Sequence, residues 1–162
     1  MERTTIDREN IVSQPLVGII MGSKSDLEVM QAALEQLEGF GVPFEVLVAS
    51  AHRNPARVHA WAAGAAGAGM RVLIAAAGKA AHLAGVVAAL TPLPVIAVPM
   101  RTSDLGGLDS LLSMVQMPTG VPVATVAING ARNAAILATQ ILGVSDAGYR
   151  TKIEAYKTSL AE

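Results

Sequence analysis

Three short loops of the sequence carry the side chains that could do chemistry. The first loop, Met21-Gly-Ser-Lys-Ser-Asp26, places serine hydroxyls and an acid at the start of a predicted helix. Backbone N–H groups and hydroxyls at a helix start suit a phosphate, and the Asp26 carboxylate suits the hydroxyls of a sugar. Plain helix capping also explains the serines. On its own, this loop favours capping over ligand binding.

The second loop, Ala49-Ser-Ala-His-Arg-Asn-Pro55, joins a predicted buried strand to a helix capped by Asn54. Arg53 could hold a phosphate through two parallel hydrogen bonds. His52 could transfer protons, because histidine titrates near neutral pH. A loop histidine bonded only to a backbone carbonyl is the alternative. The loop supports both interpretations about equally.

The third loop, Gly78-Lys-Ala-Ala-His-Leu-Ala-Gly85, is rich in small residues. It contains neither the G-x-G-x-x-G pattern of dinucleotide-binding proteins nor the pattern of a P-loop. Its small residues predict a backbone packed closely against a small ligand. His82 could be a second histidine of the site or only a helix cap, and the loop alone favours the cap.

Other kinds of chemistry find no support in the sequence. The chain has no cysteine, and its third histidine, His59, has no partner at metal-ligand spacing, so we expect no metal. Twelve basic and thirteen acidic side chains give a net charge of -1, so nucleic acid and anionic membrane surfaces are not expected partners. The apolar stretches are interrupted by prolines, so no membrane span is predicted.

Short apolar runs alternate with amphipathic segments along the chain. The predicted strands are Leu16–Met21, Phe44–Ala49, Arg71–Ala77, Pro94–Val98 and Val121–Ile128. The predicted helices are Ser25–Gly39 with a Ser25/Glu28 capping box, 55–67, a segment ending near Leu90, Leu108–Val115, Ala131–Leu142 and Ser145–Leu160. This pattern predicts a three-layer, doubly wound α/β fold with a parallel five-stranded sheet. Ligands bind such sheets beyond the carboxyl ends of the strands, so the three loops should converge on one rim.

Several of these segments together resemble the bacterial 5-(carboxyamino)imidazole ribonucleotide mutase family of purine biosynthesis. The matching stretches are Met21–Asp26, Ser50-Ala-His-Arg53, Ala80-Ala-His-Leu83, Pro94-Val-Ile96, Leu108-Asp-Ser-Leu-Leu-Ser113, Val115-Gln-Met-Pro118, Gly120–Ile128 and Asn133–Ala138. The resemblance covers about residues 17–142, in order and with spacing preserved. It implies a flavodoxin-like domain in a homo-octamer, acting without metal or organic cofactor. The implied reaction moves a carboxylate from the exocyclic nitrogen to C4 of an imidazole ribonucleotide.

The resemblance also implies roles for individual residues. His52 is the expected general acid/base, and Ser23, Asp26 and Arg53 are expected to hold the ribose phosphate. The other expected substrate-binding residues are Ser50, Gly78, Lys79, Ala80, His82 and Leu83. We further expect a polar tail over residues 1–14, a single catalytic α/β domain over 15–143, and a C-terminal helix over 144–162 that packs at a subunit interface. The N-terminus does not look like a signal peptide, so a cytoplasmic protein is expected.

Two residues depart from the family pattern, because Lys79 replaces a glycine and Ala84 replaces a proline. If position 79 needs a positive φ, lysine there is strained. We expect Lys79 to point outward and to affect the loop only modestly. Two alternatives remain open: a related carboxylase that uses dissolved carbon dioxide directly, and a nucleotide-binding module without catalysis.

Overall fold

The computed structural model of the protein describes residues 14–161. Its strands are β1 (Val17–Met21), β2 (Phe44–Val48), β3 (Val72–Ala77), β4 (Val95–Pro99) and β5 (Ala124–Thr125). Its α-helices are α1 (Leu27–Gly39), α2 (Pro55–Gly64), α3 (Leu83–Leu90), α4 (Leu108–Val115), α5 (Ala131–Gly143) and α6 (Ala147–Ser159). The predicted polar tail lies outside the described residues apart from Gln14. None of the helices within residues 14–161 is long and apolar enough to cross a membrane.

The strands form one parallel sheet in the order β2-β1-β3-β4-β5. This is the flavodoxin-like order, and it confirms the predicted doubly wound α/β fold. The direction of winding reverses between β1 and β3. A crevice is expected at their carboxyl ends, because the connections from these two strands leave toward opposite faces of the sheet.

Alternating side chains of the buried strands supply two hydrophobic cores, one on each face of the sheet. On β3, Ile74 and Ala76 join the core that packs against α1, α5 and α6. Leu73 and Ala75 join the other core, which packs against α2, α3 and α4. Every residue of β3 is buried, as expected for a central strand of a parallel sheet covered on both faces.

The two edge strands are less buried than β1, β3 and β4. Glu45 of β2 is exposed, and its neighbours along the strand are only half-buried. β5 has two residues, whereas Val121–Ile128 was predicted as a strand. Pro122 lacks an N–H, so the segment before β5 cannot form a continuous hydrogen-bonded ladder. The prediction of a long fifth strand is therefore wrong.

The first helix begins differently from the prediction. The capping box is formed by Ser23 and Asp26, not by Ser25 and Glu28 as predicted. It caps a short 3₁₀ turn, Lys24–Asp26, which leads directly into α1. The second helix begins as predicted, because the Asn54 side chain accepts a hydrogen bond from the N–H of Arg57.

The last helix packs against its own chain. Ile153 of α6 is buried in the first core, and the Tyr156 ring meets the Phe40 ring edge-to-face with centroids 5.4 Å apart. The Lys152 ammonium donates a hydrogen bond to the Phe40 carbonyl at 2.6 Å. These contacts tie α6 to the end of α1.

Gly18 of β1 lies where no larger residue fits without movement. A Cβ there would be 2.6 Å from Met70 Sδ, 2.7 Å from Leu73 Cδ2 and 2.8 Å from the Trp61 ring. We expect Gly18→Ala to lower the free energy of unfolding by about 1–3 kcal/mol, because the indole cannot move aside freely. Chemical denaturation followed by the fluorescence of Trp61 measures this change.

Gly39→Ala is the matched control for that experiment. A Cβ at Gly39 meets nothing within 4 Å, and the residue ends α1. Alanine is the better helix former, so this variant should be as stable as the wild type or slightly more so. Equal effects of the two substitutions would show that the packing around Gly18 is not limiting.

Candidate active site

The three loops converge at the carboxyl ends of β1, β2 and β3, as the sequence predicted. Together they enclose a cleft of about 360 Å³. Its lining residues are Gly22, Ser23, Ser50, Ala51, His52, Arg53, Ala77, Gly78, Ala80 and Leu83. The cleft therefore lies at the point where the direction of winding reverses, which is where doubly wound proteins bind ligands.

The first loop is held in shape by its own hydrogen bonds. The Asp26 carboxylate accepts a hydrogen bond from the N–H of Ser23 at 3.1 Å. The Ser23 hydroxyl oxygen accepts from the N–H of Ser25 at 3.3 Å and from its hydroxyl at 2.9 Å. The loop is thus held by the Asp26 carboxylate. Ser23 both caps the 3₁₀ turn and lines the cleft, so the two interpretations of this serine are compatible.

Asp26 is half-buried behind this loop. Burial raises the pKa of Asp26 above its ordinary value of 3.8, and the hydrogen bond from the Ser23 N–H offsets part of this effect. Between pH 3.8 and the raised pKa, the folded state binds more protons than the unfolded state. The stability of the fold therefore falls as the pH rises through this window, and the ionised Asp26 opposes folding at neutral pH.

We expect Asp26→Asn to keep or raise the free energy of unfolding at pH 7 while it lowers activity. The amide oxygen can still accept from Ser23, but no charge is buried. Denaturation curves at pH 7 and near pH 4, with activity assays at pH 7, measure both effects. The stability difference from wild type should shrink at the lower pH. Glu28→Gln, an exposed acid two residues further on, is the control and should change neither. A less stable Asp26→Asn variant would contradict the pKa argument.

The second loop is joined to the first through Arg53. Its Nη2 donates a hydrogen bond to the Gly22 carbonyl at 3.2 Å, and its backbone N–H donates to Ser50 Oγ at 3.3 Å. The guanidinium is exposed, so its remaining donors are free to meet a ligand. Arg53 therefore lies where it can both brace the cleft and bind an anion.

His52 meets His82 across the cleft. The distance between His52 Nε2 and His82 Nδ1 is 2.9 Å, and the rings are nearly perpendicular with centroids 5.0 Å apart. One nitrogen donates and the other accepts, and the tautomers decide which. His82 immediately precedes α3, and its side chain makes no capping hydrogen bond. The side-chain cap favoured by its loop alone is therefore wrong, and the imidazole contacts His52 instead.

The third loop turns sharply at Lys79, whose φ is 58°. Its N–H donates to the buried Ser110 Oγ at 3.0 Å, and its ammonium pairs with Asp104 at 3.1 Å. The side chains of both charged residues are about two-thirds exposed. The condition for strain at this lysine, a positive φ, is therefore met, and the exposed ammonium agrees with the expectation that Lys79 points outward.

Most of the predicted site residues thus lie together. Ser23, Ser50, His52, Arg53, Gly78, Ala80 and Leu83 line the cleft, and His82 contacts His52. Asp26 lies behind Ser23, and Lys79 faces Asp104 outside the lining. Gly22, Ala51 and Ala77 also line it, and were not predicted. Gly22 follows β1, Ala77 ends β3, and Ala51 precedes His52. Their positions at the carboxyl ends of the strands were the only sequence signal that could have identified them.

The third histidine lies elsewhere. His59 lines a separate apolar groove between α2 and α3. Within residues 14–161, no group of three or more histidine, aspartate or glutamate side chains is arranged to hold a metal ion. His52 and His82 are therefore the two histidines of the cleft.

The fold and the cleft define a member of the AIR carboxylase family, whose sequence profile matches residues 16–162. The chain is 57% identical over 143 residues to the N5-carboxyaminoimidazole ribonucleotide mutase of Pyrococcus horikoshii, covering 88% of this chain and 81% of that protein. It is 60% identical over 151 residues to the phosphoribosylaminoimidazole carboxylase of Saccharomyces cerevisiae, covering 93% of this chain. The crystal structure of Treponema denticola PurE superimposes with a TM-score of 0.83 at 29% identity, covering 91% of this chain and 92% of that one.

The relatives differ in length. This chain spans about a quarter of the yeast and Candida glabrata carboxylases, at 26% and 25% of their lengths. It spans 84% of the Thermotoga maritima mutase, with which it shares 58% identity. The resemblance to the mutase family that the loop motifs indicated is confirmed by these matches.

Proposed function

We propose that the protein is a 5-(carboxyamino)imidazole ribonucleotide mutase of purine biosynthesis. It moves the carboxylate from the exocyclic nitrogen of the substrate to C4 of the imidazole ring. The observation that carries the proposal is the position of His52, at the mouth of a cleft that also presents Arg53 and Ser23. A proton-transfer group and an anion-binding group then face the same ligand.

The substrate binds with its ribose phosphate toward Arg53 and the start of the 3₁₀ turn. The guanidinium donors not used by Gly22 bind the phosphate oxygens, together with hydroxyl and N–H groups of the first loop. Asp26, behind Ser23, accepts hydrogen bonds from the ribose or orients the donors around it. Ser50 holds the Arg53 backbone in place.

His52 carries the proton through both halves of the reaction. Protonation of the carbamate nitrogen breaks the N–C bond and releases carbon dioxide and aminoimidazole ribonucleotide. C4 of the ribonucleotide then attacks carbon dioxide, and the base removes the C4 proton, which restores the aromatic ring. One imidazole can donate and later accept this proton, so the reaction needs no second titrating group.

Carbon dioxide must stay beside C4 between the two steps. Ala77, Gly78, Ala80 and Leu83 supply a wall of small and apolar side chains that allows close approach. Holding the two fragments together replaces a bimolecular encounter by a unimolecular one. Exclusion of water also strengthens the electrostatic interactions of the cleft.

An assay with purified carboxyamino substrate tests the proposal. Conversion to the C4-carboxylated product in bicarbonate-free buffer is expected, together with failure of added ¹³C-bicarbonate to enter the product. Product that appears only when bicarbonate and aminoimidazole ribonucleotide are supplied would contradict the mutase assignment.

Direct carboxylation of aminoimidazole ribonucleotide is the second candidate. It is favoured by the 60% identity to the yeast protein, which is named a carboxylase. That protein is about four times longer than the matched region, whereas the proteins named as mutases match over most of their length. The isotope experiment separates the two activities. A third candidate is ribonucleotide binding without turnover. It predicts saturable binding, and no product either from the carboxyamino substrate or from aminoimidazole ribonucleotide with bicarbonate.

The active protein is a homo-oligomer, and the family resemblance points to an octamer. Leu108, Leu112 and Val115 lie on one face of α4 and are each about half exposed. Leu105, just before the helix, is 63% exposed. An apolar stripe of this kind is typical of a subunit contact. Light scattering should give the mass of an octamer, and Leu112→Glu should reduce it. A monodisperse monomer would contradict this part of the proposal.

The remaining parts of the proposal concern domains and location. Residues 15–143 carry catalysis, and residues 144–162 add the C-terminal helix at a subunit interface. Phosphorylated substrates do not cross membranes unaided, so the enzyme acts in the cytoplasm with the rest of its pathway. Fractionation of cells with an antibody against the protein tests the location.

A further inference from the structure

The conformation of Lys79 sets the path of the loop that leads to His82. Lys79 is one of two non-glycine residues with positive φ within residues 14–161. Left-handed backbone is costly for a lysine, so it persists only where its surroundings hold it. Two contacts do so here: the hydrogen bond from the Lys79 N–H to Ser110 Oγ and the ion pair with Asp104.

The Ser110 contact is the stronger of the two tethers. Ser110 is fully buried on the inner side of α4, so its hydroxyl has a fixed position. The Asp104 pair is exposed to solvent, and exposed ion pairs contribute little. The turn also packs against the chain leaving β4, because Gly78 lies close to Met100 and Thr102.

The backbone conformation of Lys79 determines the position of His82 through short hydrogen bonds. The N–H of Ala81 donates to the Lys79 carbonyl at 2.8 Å, and the N–H of His82 donates to the Ala80 carbonyl at 2.9 Å. These tight bonds allow little freedom between Lys79 and His82. Ala81 is fully buried, which fixes the middle of the segment.

We propose that Ser110, by holding Lys79 in its left-handed conformation, is a positioning residue that sets where His82 meets His52. Its effect on catalysis rests on the mutase function proposed above, whereas its effect on the two imidazoles does not. The 2.9 Å contact between His52 Nε2 and His82 Nδ1 is the feature that Ser110 maintains.

The first test is the nuclear magnetic resonance of the imidazole nitrogens in the free protein. The chain has three histidines, and His59 lies in a separate groove, so it serves as an internal reference. Ser110→Ala should shift the nitrogen signals of His52 and His82 but not those of His59. Ser113→Ala is the matched control, because Ser113 lies on the same helix and its hydroxyl bonds only to the Asp109 carbonyl. Unmoved His52 and His82 signals in a folded Ser110→Ala protein would overturn the proposal.

A pair of substitutions at the exposed Lys79 keeps the test valid if Ser110→Ala fails to fold. Lys79→Gly keeps the N–H and permits a positive φ, so it should retain the imidazole signals of the wild type. Lys79→Val keeps the N–H but disfavours that φ, so it should reproduce the shifts. Equal behaviour of these two variants would show that the backbone conformation is not what matters.

Kinetics of the full-length enzyme provide the second test. Ser110→Ala should lower kcat about fivefold, the effect expected from one hydrogen bond, with little change in KM. In combination with His82→Asn, it should add almost no further loss, because both act on the same contact. Independent, multiplying losses would overturn the proposal. An inactive wild type would instead refute the proposed function, and the imidazole signals would still test the positioning.

Discussion

His52→Asn is expected to lower kcat by about 10²–10⁴-fold, the range that a positioned general acid/base contributes. Asparagine keeps a polar side chain of similar reach but has no group that titrates near neutral pH. Both halves of the proposed reaction need a proton moved by the same group, so both should stop. Substrate affinity should fall much less, because the proposed binding of the phosphate to Arg53 and the first loop does not involve His52.

Steady-state kinetics and substrate binding by calorimetry distinguish these effects. His59→Asn is the control, because it makes the same chemical change in the separate groove between α2 and α3. It should leave kcat near the wild-type value. If His52→Asn isomerised its substrate at the full rate, the assignment of proton transfer to this imidazole would be wrong.

Arg53→Lys is expected to lower kcat/KM by about 10- to 150-fold, the cost of losing hydrogen bonds to a charged group. The guanidinium is planar, so it can donate to the Gly22 carbonyl and still present further donors to a phosphate. A lysine ammonium at the end of a flexible chain cannot satisfy both partners with the same geometry. Most of the effect should appear in KM.

A substrate without its phosphate makes this prediction specific. Arg53→Lys and wild type should process the corresponding nucleoside with similar kcat/KM, because the group that Arg53 is proposed to bind is missing. Arg57→Lys, an exposed change in the first turn of α2, is the control and should be close to wild type. A fall in kcat with unchanged KM would show that Arg53 acts on the reacting groups instead.

The alternation of apolar runs and capped segments predicted the doubly wound parallel sheet and the rim of the cleft, but not the order of the strands. The central strands β1, β3 and β4 were located within one residue at either end, because strands buried on both faces are apolar throughout. The edge strand β2 was also located within one residue, although it carries the exposed Glu45. The limits of the other edge strand, β5, were not predicted, because Pro122 interrupts hydrogen bonding inside an apolar run that continues on both sides of the strand.

The candidate site was predicted as three loops but not as a set of contacts. The side-chain types indicated His52 and Arg53, and parallel strands dictated that their loops meet. The contact between His52 and His82 spans thirty positions of the chain, and no local pattern encodes it. No local pattern encodes the contact of Ser110 either, because its hydroxyl lies on α4 and accepts a hydrogen bond from the Lys79 N–H in the third loop. Local spacing identifies groups that could react, whereas packing decides which of them touch.

The two edge strands of the sheet, β2 and β5, are built in ways that discourage edge-to-edge pairing with another chain. At one edge, Glu45 is the second residue of β2, and its carboxylate accepts a 2.8 Å hydrogen bond from the Trp61 indole. At the other edge, β5 offers only two residues. A charged border and a truncated border both discourage a second polypeptide from adding a strand, which is how amyloid-like growth begins. We expect the protein to resist fibril formation, also when its copies assemble through their helices as proposed.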